Sequence, residues 1–108
     1  MQLDMMQLVA RMTAKRLGIK APEIAVHGKW RRPRAYTEHG IIGIPASFVG
    51  KSALIMTYIV LHEVCHFIGG GLNHCKRFRE NEDAMLQFWG ISYKRKGHYL
   101  EDLRWRGK

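Results

Sequence analysis

Cysteine is scarce in this chain. Only Cys65 and Cys75 occur in 108 residues, and neither belongs to a CxxC pair. Two such residues do not make a disulfide framework, so a reducing compartment is the simpler setting. Long hydrophobic runs are also missing. The longest, Ala53 to Leu61, is interrupted by Thr57 and falls far short of the roughly 20 residues that a membrane-spanning helix needs. The first residues, MQLDMMQLVARMTAKRLG, have neither a basic start before an apolar core nor a small-residue cleavage pattern, which argues against a signal peptide. Together these absences predict a soluble, cytoplasmic protein. Acidic residues are few as well, 9 against 18 Lys plus Arg, for a net charge of +9. That balance favours an acidic partner: nucleic acid, an acidic protein surface or anionic lipid. There is no internal repeat and no low-complexity tract.

What is present fits one compact domain over residues 1–108, with a basic tail from 91 to 108. Apolar residues make up 46% and charged residues 25%, an ordinary globular balance. Met5, Leu8, Val9 and Met12 recur at helical spacing, predicting an amphipathic helix over 4–17 that Gly18 stops. Glu23 to His27 alternates like a strand. A basic loop follows, Trp30-Arg31-Arg32-Pro33-Arg34, and then two short strands, 35–37 and 41–44, that turn at Glu38-His39-Gly40. Pro45 has no N–H to give, so the second of these strands is expected to lie at a sheet edge or to stop there. The nearly continuous apolar stretch from Lys51 to Ile68 reads as a buried helix, closed by Gly69-Gly70-Gly71. Another helix is expected from about His74 to Trp89, with Phe78, Met85, Phe88 and Trp89 on one side and Gly90 as its stop. The pattern predicts an α+β fold: an N-terminal helix, a small mainly antiparallel sheet, and two further helices.

The chemistry concentrates in His62-Glu63-Val64-Cys65-His66, an HExxH. Residues four apart share a helix face, so both imidazoles can reach one metal ion. Glu63 lies about 100° round from His62. It therefore flanks the metal, where it can take a proton from an activated water as general base. Catalytic zinc takes three protein ligands and leaves one position open. His74 is the expected third ligand, with seven residues between it and His66 and only Leu72 and Asn73 between it and the glycines. Glu82, His39 and His98 are the alternatives. A metzincin pattern fails because Leu72 stands where its third His belongs. Cys75 is read as structural and Cys65 as core. Asn81 and Glu82 fall within the apolar stripe of the last helix, where a polar group needs a partner. Either one is placed to hydrogen-bond a ligating imidazole from behind. The expected cofactor is one Zn2+ ion.

HEVCHFIGGGLNHCKRF, with the helix and strands before it, resembles the SprT-like and WLM zinc metallopeptidases, which include the Spartan-type DNA-dependent proteases. Those families have HExxH, a later His and often a Phe four residues after it; here that Phe is Phe78. The resemblance implies a minimal zincin core with Glu63 catalytic and His62, His66 and His74 on zinc. It also implies a protein or peptide substrate. The segment resembles the YbeY-type endoribonucleases too, although those have Gly where Glu63 stands. A third reading is a zinc-stabilised nucleic-acid-binding or assembly module without enzymatic activity.

Further assignments complete the expectation. Ile41, Ile42, Gly43 and Ile44 are taken as an edge strand that pairs with an extended substrate. Trp30, Arg31, Arg32, Arg34, Lys94, Arg95 and Lys96 are candidates to contact nucleic acid, although charged runs of this kind are as often a solvated surface. Residues 52–75 carry no Lys or Arg, so positive charge is expected to flank the site without lining it. Tyr58, Tyr93 and Tyr99 are the candidates to stabilise an oxyanion.

Overall fold

The computed structural model describes residues 1–68, 74–97 and 99–107. Helix α1 spans Leu3–Leu17 and ends on Gly18, whose φ of 75° is the left-handed cap expected there. Strands β1 (Glu23–His27), β2 (Arg34–Tyr36) and β3 (Ile41–Pro45) form one sheet. A 3-10 turn at Ala46–Phe48 leads to α2 (Ala53–Cys65). Helix α3 (Lys76–Phe88) follows, and β4 (Ile91–Lys96) and β5 (Tyr99–Trp105) close the chain as a hairpin. The arrangement is α+β.

The first sheet runs in the order β1-β3-β2. β2 pairs antiparallel with β3 through the short turn before it. β1 pairs parallel with β3 along its whole length, Glu23 opposite Ile41 and His27 opposite Pro45. β3 is thus the central strand, and Ile42 and Ile44 are fully buried. This corrects the expectation for Ile41, Ile42, Gly43 and Ile44: β1 pairs with all four and β2 with the first three, so β3 is not an edge strand open to a substrate. Pro45 ends the strand and marks no edge. The edge strands are β1 and β2, and β2 is the one that carries Ala35.

Two apolar clusters sit on either side of α2. Val60 and Val64 join Met6, Val9, Ala10, Ile24, Ile42 and Ile44 between α1 and the sheet. Leu61 and Cys65 join Phe78, Met85, Leu86 and Ile91 under α3 and the hairpin. A helix covered on two sides has to be apolar nearly all round, which explains its composition. Ser52 caps α2 by accepting from the Ile55 N–H at 3.2 Å.

Three expectations shift. α1 buries Met6, Val9, Ala10, Thr13 and Ala14, whereas Met5, Leu8 and Met12 are each about half exposed; the packed stripe lies one position beyond the one read from the sequence. Phe88 is also outward, at 40% exposure, under the Arg16 guanidinium. The tail, unassigned from sequence, is the β4–β5 hairpin, with a register shift between Ser92 and Lys94 and Asp102 at φ 54° on the strand opposite, the mark of a bulge. The triple glycine, Leu72 and His98 lie outside the described residues. Among those described, no helix is long and apolar enough to cross a membrane.

Candidate metal centre

Helix α2 carries His62 and Glu63, and His66 is its C-cap residue. His74 arrives just before α3, whose N-cap is Cys75. Each of the three imidazoles offers one nitrogen, and these nitrogens lie within 4.8 Å of one another. The Nε2 atoms of His66 and His74 are 3.1 Å apart. Two nitrogens each about 2.0–2.1 Å from one tetrahedral zinc would be about 3.3–3.4 Å apart. The donor set and its spacing therefore suit a zinc ion. Phe78 forms the floor, its ring centroid 5.0 Å from His62, 4.5 Å from His66 and 4.7 Å from His74.

The far side of His62 is held as a ligating imidazole usually is. Its Nδ1 hydrogen-bonds Glu82 Oε2, which leaves Nε2 to face the other histidines. Glu82 is only 2% exposed. Its other oxygen accepts from the Arg95 guanidinium at 3.0 Å, and Arg95 also reaches Asp83 at 2.6 Å. Burial by itself would raise the Glu82 carboxyl, but the His62 hydrogen bond and the Arg95 guanidinium outweigh it and hold the group below the usual carboxylate range. Glu82 thus stands behind His62 and not among the ligand atoms, which removes it as a rival to His74. Asn81 is half-buried and makes no side-chain hydrogen bond among the described residues.

Glu63 is 8% exposed. Burial pushes its carboxyl above the ordinary range, against the pull of neighbouring His62 and of a hydrogen bond from the backbone of Ala35. Ala35 is the middle residue of β2, so the edge strand and Glu63 are in direct contact. The three histidines and Glu63 open into a cleft of about 780 Å3 whose opposite wall is Trp30, Arg31, Arg32, Pro33, Arg34, Ala35 and Tyr36. The basic loop therefore lines the cleft, a correction to the expectation that charge only flanks it.

The remaining candidates separate. Arg95, grouped with Lys94 and Lys96 as a nucleic-acid contact, is consumed by two carboxylates. Lys94 and Lys96 do not line the cleft, and Lys94 sits 3.7 Å from Asp102. Tyr58 lies behind the site, its hydroxyl 3.5 Å from His62 Nδ1; burial pushes its phenol upward. Tyr93 donates to Asp83 and Tyr99 is 75% exposed. None of the three tyrosines lines the cleft, whereas Tyr36 does. Sequence reading missed Arg95 and Ala35 as supports of the site. The first was hidden in a run of like charges, and the second has no side-chain signal at all.

No family model matches the chain, and no curated protein matches it. A solved structure does. The fold is similar to that of the metallopeptidase zymogen abylysin of Pyrococcus abyssi, with a TM-score of 0.65 and 18% identity over 72% of this chain and 76% of that one. The chain shares the architecture of that structure over the matched part. At that identity the likeness speaks for the architecture, and the chemistry rests on the residues described above.

Proposed function

We propose that the chain is a zinc-dependent metallopeptidase in which His62, His66 and His74 hold the ion and Glu63 is the catalytic residue. The carrying observation is the convergence of the three ligand nitrogens within 4.8 Å, beside a buried carboxylate in a cleft wide enough for a polypeptide. A bound zinc ion would polarise a water molecule and a substrate carbonyl. Glu63 then does the proton work. From its place in the cleft beside the histidines it can accept a proton from the attacking water, and the same carboxyl returns that proton to the departing amine nitrogen. The hydrogen bond from the Ala35 backbone ties the carboxylate to the cleft wall. Glu82 fixes the orientation of His62, and Arg95 fixes Glu82. Within the metallopeptidases, the likeness of HEVCHFIGGGLNHCKRF to the SprT-like and WLM enzymes supports reading the chain as a relative of theirs.

The peptide lies extended along the free edge of β2, the strand that carries both the cleft wall and the contact to Glu63. N-methylation of a substrate amide next to the scissile bond is expected to cut cleavage at least about tenfold, the value of one lost backbone hydrogen bond; undiminished cleavage would exclude strand pairing.

Metal analysis tests the assignment as a whole. Wild type should carry one zinc per chain, and His74→Ala, purified alike, should lose most of it. Casein-like protein and not RNA should be cleaved, with Glu63→Gln as the inactive control. A wild-type chain that takes up no zinc would end this reading.

A further inference from the structure

The cleft wall opposite the histidines is unusually basic for a site whose one lining carboxylate is Glu63. Arg31, Arg32 and Arg34 all line it, all are exposed, and none has an ion-pair partner among the described residues. Arg95, behind the site, is by contrast neutralised by Glu82 and Asp83. The loop that presents the three arginines is also built to hold its shape. Trp30 stacks between His27 and Tyr36, with ring centroids at 5.5 and 5.9 Å. Both the Trp30 and Tyr36 rings lie over Gly43, where a Cβ would come within 2.9 Å of Tyr36 and 3.1 Å of Trp30. Arg34 in turn lies 5.3 Å above the Tyr36 ring. Strand β3 thus has a glycine where the loop needs a floor.

We propose that Arg31, Arg32 and Arg34 make this cleft selective for acidic peptides, binding Asp or Glu side chains next to the bond that faces Glu63. An arginine fork donates two parallel hydrogen bonds to a carboxylate, and three forks without an ion-pair partner on one wall leave anionic residues as the matching substrate chemistry. Nucleic acid fits less well. A phosphate backbone needs a long positive track, and the unpaired cleft cations are confined to the three arginines of one loop. For turnover the inference rests on the peptidase reading; for binding it does not.

The test separates the two. Full-length protein carrying Glu63→Gln, which prevents turnover, is titrated with a fluorescent peptide holding four Asp residues, with its Asn counterpart, and with a single-stranded oligonucleotide of equal charge. The Asp peptide should bind at least about tenfold tighter than the Asn peptide and weaken as salt rises. Arg31→Gln/Arg32→Gln should remove roughly 5- to 10-fold of that preference, the usual scale for two exposed charge contacts. Arg31→Glu/Arg32→Glu should turn the preference toward a Lys-bearing peptide; because these side chains are exposed, unchanged thermal melts would show that the fold is intact. Equal binding of Asp and Asn peptides, or tighter binding of the oligonucleotide than of the Asp peptide, would overturn the proposal. Wild-type cleavage without charge preference would overturn it and leave the peptidase reading standing. Retained acidic selectivity in a chain that neither takes up zinc nor cleaves would do the reverse.

Discussion

Glu82→Gln probes the support behind the proposed metal site with a change of charge at nearly constant volume. The Glu82 carboxylate is buried and accepts at both oxygens, from His62 Nδ1 on one side and from Arg95 at 3.0 Å on the other. A glutamine accepts at its oxygen and donates at its nitrogen. In either orientation it satisfies one of these donors and points N–H groups at the second. If it faces His62 wrongly, the imidazole loses the tautomer that leaves Nε2 for the metal. If it faces Arg95 wrongly, a guanidinium already holding Asp83 at 2.6 Å loses its buried anchor. Removing an outer partner of a ligating histidine weakens metal binding by about 10- to 100-fold, or about 1.4–2.7 kcal/mol. An unmatched buried donor costs the folded chain ~1–3 kcal/mol as well, and the melting temperature should fall by about 4–8 °C for each kcal/mol in a domain of this size. Zinc affinity is measured by competition with a chromophoric chelator, and stability by thermal melting. Glu80→Gln is the matched control, since that carboxylate is 65% exposed and pairs with Lys76 at only 4.0 Å, a contact worth at most about 1 kcal/mol. If Glu82→Gln and Glu80→Gln bound zinc equally well, the claim that Glu82 orients a ligand would be refuted.

Other consequences follow from the same geometry. Glu63→Gln should keep its zinc and lose about 10²- to 10⁴-fold in peptide turnover, the range for a positioned general base; retention of full activity would move the proton chemistry elsewhere. Gly43→Ala puts a methyl 2.9 Å from the Tyr36 ring and 3.1 Å from Trp30. Forcing those rings outward should cost ~1–3 kcal/mol and alter the near-ultraviolet circular dichroism, whereas unchanged spectra and melting would show that the rings have room to give. A thiol reagent should modify one cysteine per native chain. Cys75 is exposed, whereas Cys65 is buried with its thiol pushed up to about 12 by that burial, which leaves little reactive thiolate near neutral pH; fast reaction of both would contradict the packing of α2.

Local spacing carries part of this protein by itself. His62, Glu63 and His66 occupy neighbouring turns of one helix, and helical geometry alone decides that the two imidazoles share a face with the carboxylate beside them. Gly18 as a stop, Ser52 before α2 and the turn between β2 and β3 are likewise properties of a few adjacent residues. The burial of α2 was legible in its composition, because a helix apolar all round has nowhere to lie but inside.

What depends on distant partners was not legible. Helix α1 carries two overlapping apolar stripes, Met5-Leu8-Met12 and Met6-Val9-Ala10. Only the sheet and α2 packed against it choose the second. β3 became the centre of its sheet because β1, from before the basic loop, pairs with it in parallel. That non-local pairing closed the edge that β3 would otherwise have offered and left β2 as the edge strand beside the cleft. In the Lys94-Arg95-Lys96 run the three charges look alike, but strand alternation turns the middle one to the opposite face from its neighbours, where α3 offers Glu82 and Asp83. Sequence spacing sets angles along one element. Which side chains face one another across elements is decided by how the elements stack, and that is a property of the whole fold.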